Sequence, residues 1–277
     1  MITFPHLGYL GRLANQMFQY AALVNISNKN KSKYFINSSK IELLKCFDLP
    51  AKIFSLYNSE VSTPNKFSMT VIGSPYTVDI APDEDDKLFS TKFDEEFYNS
   101  DHENKSLVGF FQNYNYFKDS EDVLRKHFIF KKQYLNVSNY YFKEIFSGQK
   151  VISLHIRRTD YLESTILNHL DFDYYQNALN KFDKSIPVLV FSDDVEWCEQ
   201  QDFFKSERFV IIRTNNTYID LCLMSMCDYH IIANSSFSWW GSWLAKSKKT
   251  ICPQNWFSSN FSYLDSDGLR LPNWISV

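Results

Sequence analysis

"VISLHIRRTDYLE", residues 151–163, begins as an apolar run rich in β-branched residues and ends in His155, Arg157, Arg158, Asp160 and Glu163. A short apolar run bounded by charge suits a strand buried in a sheet. The segments after it decide the fold. "DFDYYQNALNKFDKS" (171–185) has apolar residues at helical spacing, and "IPVLVF" (186–191) is another buried strand. "DDVEWCEQQDFFK" (193–205) opens with acids, as a helix N-terminus prefers. Strand "RFVII" (208–212), helix "TYIDLCLMSMCD" (217–228), strand "YHIIA" (229–233), helix "SSFSWWGSWLAKS" (235–247) and strand "KTIC" (249–252) continue the alternation. Such alternation predicts an α/β fold, a parallel sheet with helices on both faces.

The other half starts in the same way. "MITF" (1–4) reads as a strand, "HLGYLGR" (6–12) as a glycine turn, "LANQMFQYAALVNIS" (13–27) as a helix and "KYFINS" (33–38) as a strand. From residue 50 to about 105 no elements can be assigned, apart from a charged loop at "APDEDD" (81–86). "KDSEDVLRKHF" (118–128) and "QYLNVSNYYFKEIF" (133–146) read as helices that carry the chain across, with a boundary near "SGQK" (147–150). The architecture expected is two Rossmann-like domains, 1–148 and 149–277, facing a central cleft.

Composition excludes several classes. The chain has 277 residues, 44% hydrophobic and 22% charged, which is a globular balance. Its formal net charge of −3, with no basic face, argues against a nucleic-acid partner. The five cysteines are odd in number and form no CxxC pair, so reduced thiols in a cytoplasmic protein are expected. No run approaches the roughly 20 apolar residues that span a bilayer, and the N-terminus does not read as a signal peptide. Peripheral membrane contact stays open. The 17% aromatic content fits a codon-biased genome first, and sugar-binding platforms second.

Ligands of open α/β sheets sit at the carboxyl ends of the strands, where His155 to Asp160 should project. Paired arginines there suit a phosphorylated ligand, because the guanidinium fork grips two oxygens and keeps its charge. A surface arginine pair held in structural salt bridges has equal weight on composition alone. "ANSSFSWWGSWL" (233–244) runs from a strand into a helix whose first N–H groups, with Ser235 and Ser236, can receive an anion. Plain N-capping explains the serines as well, and Trp239, Trp240 and Trp243 read as core. In "GYLGRLANQMFQYA" (8–21), Asn15 and Gln16 either bond a sugar or phosphate or brace the turn. The acid pairs Asp171/Asp173 and Asp265/Asp267 and the junction "FSDD" (191–194) read as caps and turns, so no metal site is expected.

Five blocks then align with a known family. "HIRRTDY" resembles the HxRRxDY motif of the α-1,2-fucosyltransferases, glycosyltransferase family 11. "GRLANQMFQYA" is similar to its N-terminal block, with Ala14 where glycine is usual, and "GFFQNYNYF" (109–117), "FSDDVEW" (191–197) and "ANSSFSWWGSWL" succeed it in the family's order. The resemblance implies a GT-B fold, GDP-fucose as donor, a galactose-terminated oligosaccharide as acceptor, inverting transfer to its 2-hydroxyl, and no metal or other cofactor. It implies an N-terminal acceptor-side domain and a C-terminal donor domain. It assigns Arg157 to the donor diphosphate with Arg158 close by, His155 to the nucleotide, Asp220 to guanine, and Ser235, Ser236 and Phe237 to the donor pocket. Asn15 and Gln16 would reach in from the first domain. Asp160 is the expected base; if it orients Arg157 instead, Glu163 or no protein base would serve. The alternatives are a fucosyltransferase of another linkage, such as α-1,6, or a non-catalytic nucleotide- or glycan-binding module.

Overall fold

A computed structural model describes residues 1–4, 7–37, 41–50, 52–54, 71–73, 91–102, 105–146, 148–261, 264 and 266–277. The loop expected at 81–86 and Asp265 lie outside them. The chain forms two compact units, Met1–Ile129 with Asp267–Leu269, and Phe130–Ser266 with Arg270–Val277.

The first unit holds β1 (Ile2–Phe4), α1 (Leu13–Lys29), β2 (Tyr34–Asn37), α2 (Leu43–Cys46), β3 (Lys52–Phe54), β4 (Val71–Gly73), α3 (Glu95–Asn99), β5 (Ser106–Val108) and α4 (Glu121–His127). Its five strands form one parallel sheet in the order β3-β2-β1-β5-β4. Helix α1 is buried over nearly its whole length, polar residues included. Asn25 shows how this is tolerated: its amide donates to Tyr98 Oη at 2.8 Å and to the Tyr116 carbonyl at 2.9 Å, and its carbonyl accepts from Ser120 Oγ at 2.6 Å. A buried amide so satisfied escapes the desolvation cost of an unpaired polar group.

The second unit begins with α5 (Lys132–Phe146) and β6 (Ile152–Ile156). It continues through α6 (Phe172–Leu179), β7 (Val188–Ser192), α7 (Val195–Gln200), β8 (Phe209–Ile211), α8 (Thr217–Met226), β9 (Tyr229–Ile231), α9 (Ser236–Ala245), β10 (Lys249–Cys252) and β11 (Ile275–Ser276). All six strands are parallel, in the order β11-β10-β9-β6-β7-β8. The chain builds outward from β6 through β7 to β8, then returns to the other side of β6 for β9, β10 and β11. The reversal therefore falls between β6 and β9, and that is where open α/β sheets leave a crevice at the strands' carboxyl ends. Strand β6 is buried at every residue and β7 at all but its last, as a strand covered on both faces must be.

The GT-B-like α/β class holds, with several boundaries corrected. Helix α5 packs on α8 and so belongs to the second unit, which moves the division from residue 148 to Ile129. The helix expected over 193–205 stops at Gln200 and resumes as a 3-10 turn, Asp202–Phe204. The one expected over 171–185 ends at Leu179, and β11 was not foreseen. Trp239 and Trp240 are fully buried and Trp243 nearly so, which settles them as core. Gly241 lets α9 press against α8: a Cβ there would lie 2.9 Å from Met224 Cβ.

Candidate functional site

The crevice is built from strand ends. The register of β6 on β7 pairs Ile156 with Ser192, so the next residues, Arg157 and Asp193, leave the sheet side by side. Asp193 Oδ2 meets Arg157 Nη1 at 2.8 Å. Its carboxylate also accepts from the Arg158 backbone N–H at 2.9 Å and from the Thr159 hydroxyl. The other terminal nitrogen of Arg157, Nη2, pairs with Asp160, and the guanidinium lies 5.0 Å from the centre of the Tyr161 ring. Only 11% of the Arg157 side chain is exposed, against 56% for Asp160.

Arg158 is turned to a different task. Its Nε donates to Asp194 Oδ2 at 3.1 Å, and its guanidinium stacks 3.6 Å over the Trp197 ring. Asp194 also caps α7, accepting from Trp197 N at 3.2 Å. Both arginines are thus held in salt bridges, Arg157 to Asp160 and Asp193 and Arg158 to Asp194, and Arg157 is the one that follows directly on β6.

Across the reversal, His155 is buried among β6 and α9. Its Nδ1 is 2.9 Å from Ser238 Oγ and its ring centre 5.8 Å from that of Phe237. Burial, then the Arg157 charge, hold its pKa down at about 3, so the ring is neutral. Ser235 caps α9 by accepting from Phe237 N at 3.3 Å, and Ser236 begins the helix. Just before it, the buried Asn234 donates to the carbonyls of Asn168 and Trp256, both at 2.8 Å, and its own carbonyl accepts from Tyr161 Oη at 3.1 Å. One residue thus ties the loops after β6, β9 and β10 together.

Asp220 lies in the first turn of α8, where Thr214 Oγ1 donates to it at 2.5 Å. Burial raises its pKa to about 6 in spite of that bond. Ile219 and Phe237, from the first turns of α8 and α9, pack on one apolar cluster, so the two helix starts share the crevice end of the sheet. Glu163 is exposed and makes no ion pair among the described residues.

Asn15 and Gln16 belong to the other unit. Asn15 Oδ1 accepts from Gln112 Nε2 at 2.9 Å, and its side chain lies so close over Gly11 (φ 76°) that a Cβ there would be 2.3 Å from Asn15 Nδ2. Gln16 is 1% exposed: its amide donates to the Gly11 carbonyl at 3.3 Å and its oxygen accepts from Glu42 N at 2.8 Å. Of the two readings, these bonds fit the bracing role for Gln16. Ala14 sits inside α1, where alanine is favourable.

Asp194 caps α7, as expected of the "FSDD" junction, whereas sequence reasoning gives no site role to Asp193, Tyr161, Asn234 or Thr214. Capping accounts for Asp194 but not Asp193. The missed signal was that a buried arginine at a strand's end needs a counter-ion, which the end of the neighbouring strand can supply. Asp171 does cap α6, accepting from Tyr174 N at 3.0 Å. Among the described residues no helix is long and apolar enough to cross a membrane.

Known proteins place this geometry. Residues 6–277 match the model of Glycosyl transferase family 11. The chain is 29% identical to an O-antigen biosynthesis glycosyltransferase, WbnK, of Escherichia coli over 96% of its length and 98% of the relative's. It is also 29% identical to an alpha-1,2-colitosyltransferase of the same organism, covering 89% and 90% of the two chains. Galactoside alpha-(1,2)-fucosyltransferase 1 of Bos taurus is 24% identical over 96% of this chain and 74% of that one. In fold, the chain is similar to NodZ alpha-1,6-fucosyltransferase co-crystallized with GDP, with a TM-score of 0.55 at 13% identity, covering 87% of this chain and 90% of that one.

Proposed function

Since this chain belongs to glycosyl transferase family 11, we propose that it moves L-fucose from GDP-fucose to the 2-hydroxyl of a β-galactoside, with inversion, giving an α-1,2-linked product. The observation that carries the reading is Arg157. Its guanidinium stands at the carboxyl end of β6, beside the reversal in strand order, fixed on one side by Asp193 and paired on the other with the exposed Asp160.

The chemistry rests on charge. As the C1–O bond to the diphosphate breaks, GDP gains negative charge and the fucosyl ring gains oxocarbenium character. A fixed guanidinium and the first N–H groups of α9, with Ser235 and Ser236, stabilise that charge more in the transition state than in the ground state. The acceptor oxygen attacks C1 from the opposite face, and its proton passes to the Asp160 carboxylate. Asp220 accepts hydrogen bonds from guanine when ionised, and neutral His155 with Phe237 walls the nucleotide. Arginine and helix N–H groups supply the positive charge, so no divalent cation is assigned a role. The five buried free cysteines support a reducing, cytoplasmic setting.

The deciding experiment incubates the enzyme with GDP-fucose and a β-galactoside-terminated oligosaccharide, then determines the product linkage. An α-1,2-fucoside is expected. An α-1,6 product, or binding of GDP-fucose without turnover, would overturn the reading. The colitosyltransferase relative favours a second donor, so the matching colitosyl donor should be run in parallel. Faster transfer of colitose would shift the sugar and leave the site chemistry unchanged.

A further inference from the structure

The charges around Arg157 do not suit an anion as they stand. Two guanidiniums, Arg157 and Arg158, face three carboxylates, Asp160, Asp193 and Asp194, leaving the cluster one charge negative. A diphosphate approaching Arg157 must therefore displace a carboxylate. We infer that the two partners of Arg157 have opposite fates: Asp160 yields Nη2 to the diphosphate, while Asp193 stays on Nη1 as a positioning residue. This rests on the reading of Arg157 as a diphosphate ligand and says how the site opens to it.

Geometry separates the two acids. Asp193 is anchored by the sheet, because it comes directly after the paired end of β7. It holds three groups of the neighbouring loop at once, Arg157 Nη1, the Arg158 N–H and the Thr159 hydroxyl. Its side chain is 18% exposed. Asp160 instead lies three residues along the same chain, in the 3-10 turn Thr159–Tyr161, with 56% of its side chain in solvent. Exposed pairs of that kind contribute little, since water replaces the partner at small cost, whereas losing one partner of a buried hydrogen-bonded pair is expensive. A phosphate oxygen on Nη2 gains the charge-assisted bond that Asp160 gives up. The exchange also moves the Asp160 carboxylate off its cation when the donor is bound, which is when a base is needed. Asp160 is then counter-ion first and base second.

Calorimetric titration with GDP and with inorganic pyrophosphate tests the exchange. Asp160→Asn should bind both about two- to fivefold more tightly than the unaltered enzyme, the scale of an exposed pair. Its transfer rate should fall at the same time. Asp193→Ala should bind both at least tenfold more weakly, and Asp193→Asn, which keeps an oxygen for the Arg158 N–H, should recover part of the loss. Weaker binding in Asp160→Asn overturns the inference, and that variant keeps the test decisive if Asp193→Ala fails to fold. Tighter binding in Asp193→Ala overturns it too, because Asp193 would then be only a competing charge. An unaltered enzyme that binds neither ligand overturns the diphosphate reading of Arg157 itself, a result distinct from both.

Discussion

Arg157 is where one side chain has most to lose. A lysine keeps the charge but offers a single nitrogen, which cannot hold Asp193 on one side and two phosphate oxygens on the other. Losing one charge-assisted bond in a desolvated site costs roughly 2–4 kcal/mol of transition-state stabilisation. Arg157→Lys should thus transfer about 30- to 1000-fold more slowly, while the unaltered enzyme keeps full activity in EDTA. A lysine variant with normal turnover would reduce the arginine to a general positive patch. Asp220 gives a different signature. On the proposed guanine it would be distant from the breaking bond, so Asp220→Ala should raise the Michaelis constant for GDP-fucose more than it lowers turnover. Its pKa of about 6 adds a pH test. A carboxyl raised this far offers two charged acceptor oxygens only above pH ~6, and below it one oxygen becomes a donor, so donor affinity should weaken between pH 7 and 5, and Asp220→Asn should lose that dependence. Equal pH profiles in the two proteins would remove Asp220 from the nucleotide site.

Helices α8 and α9 deliver Asp220 and Ser235 to one place only if they pack closely, and Gly241 sets that distance. Alanine would gain about 1 kcal/mol of helix propensity there. Its Cβ, however, would meet Met224 Cβ at 2.9 Å, an atom close to the α8 backbone that cannot swing aside. Overpacking of this kind costs about 1–3 kcal/mol. Gly241→Ala should therefore lower the thermal midpoint by a few degrees and weaken GDP binding with it; a stabilised variant would show that the helices part freely. The sequence reveals these elements because β6, β7, α8 and α9 are long and apolar enough to carry a period. In the first unit β3, β4 and β5 are three residues each, as are β1, β8 and β9, but the first three lack the regular sequence alternation with helical segments that makes the other three legible. Site residues divide along the same line. His155, Arg157 and Ser235 are legible because charge or hydroxyl comes directly after an apolar strand. Asp193 is not, because its role depends on which strand lies beside β6, a fact of topology that no local pattern contains. Gln16 is ambiguous for the converse reason: polarity in a helix's first turn looks the same whether it meets a ligand or braces a buried turn.

Over the whole molecule, acid stability should be decided by buried imidazoles against one buried carboxyl; burial lowers His102 and His127 as well, but His155 and His230 are the most strongly shifted rings among the described residues. His155 and His230 are 5% and 1% exposed, and burial lowers their pKa values to about 3 and about 4 from an ordinary 6.5. His230 donates from Nε2 to the Met224 carbonyl at 2.9 Å, and its Nδ1 finds no partner among the described residues, so nothing in place would welcome a second proton. Both rings stay neutral in the folded chain at pH 5, while in the unfolded chain they take up protons as pH falls through 6.5. The unfolded state then binds more protons, and stability falls with pH. Between pH 7 and 5 each histidine removes about 2 kcal/mol. Asp220 acts in the opposite direction: its raised pKa makes ionisation costly above pH ~6, and protonation on the way down returns about 1 kcal/mol. The histidines win, so the protein should lose about 3 kcal/mol over those two pH units, a large part of the stability of an ordinary domain. Denaturant titrations at pH 7, 6 and 5 measure this. His230→Asn should be less stable at pH 7 yet show a shallower decline, since it has one fewer group to protonate on unfolding. A flat wild-type profile would mean that both rings already carry their second proton in the fold, or reach water to take it, and the packing of α8 and α9 over the sheet would have to be open.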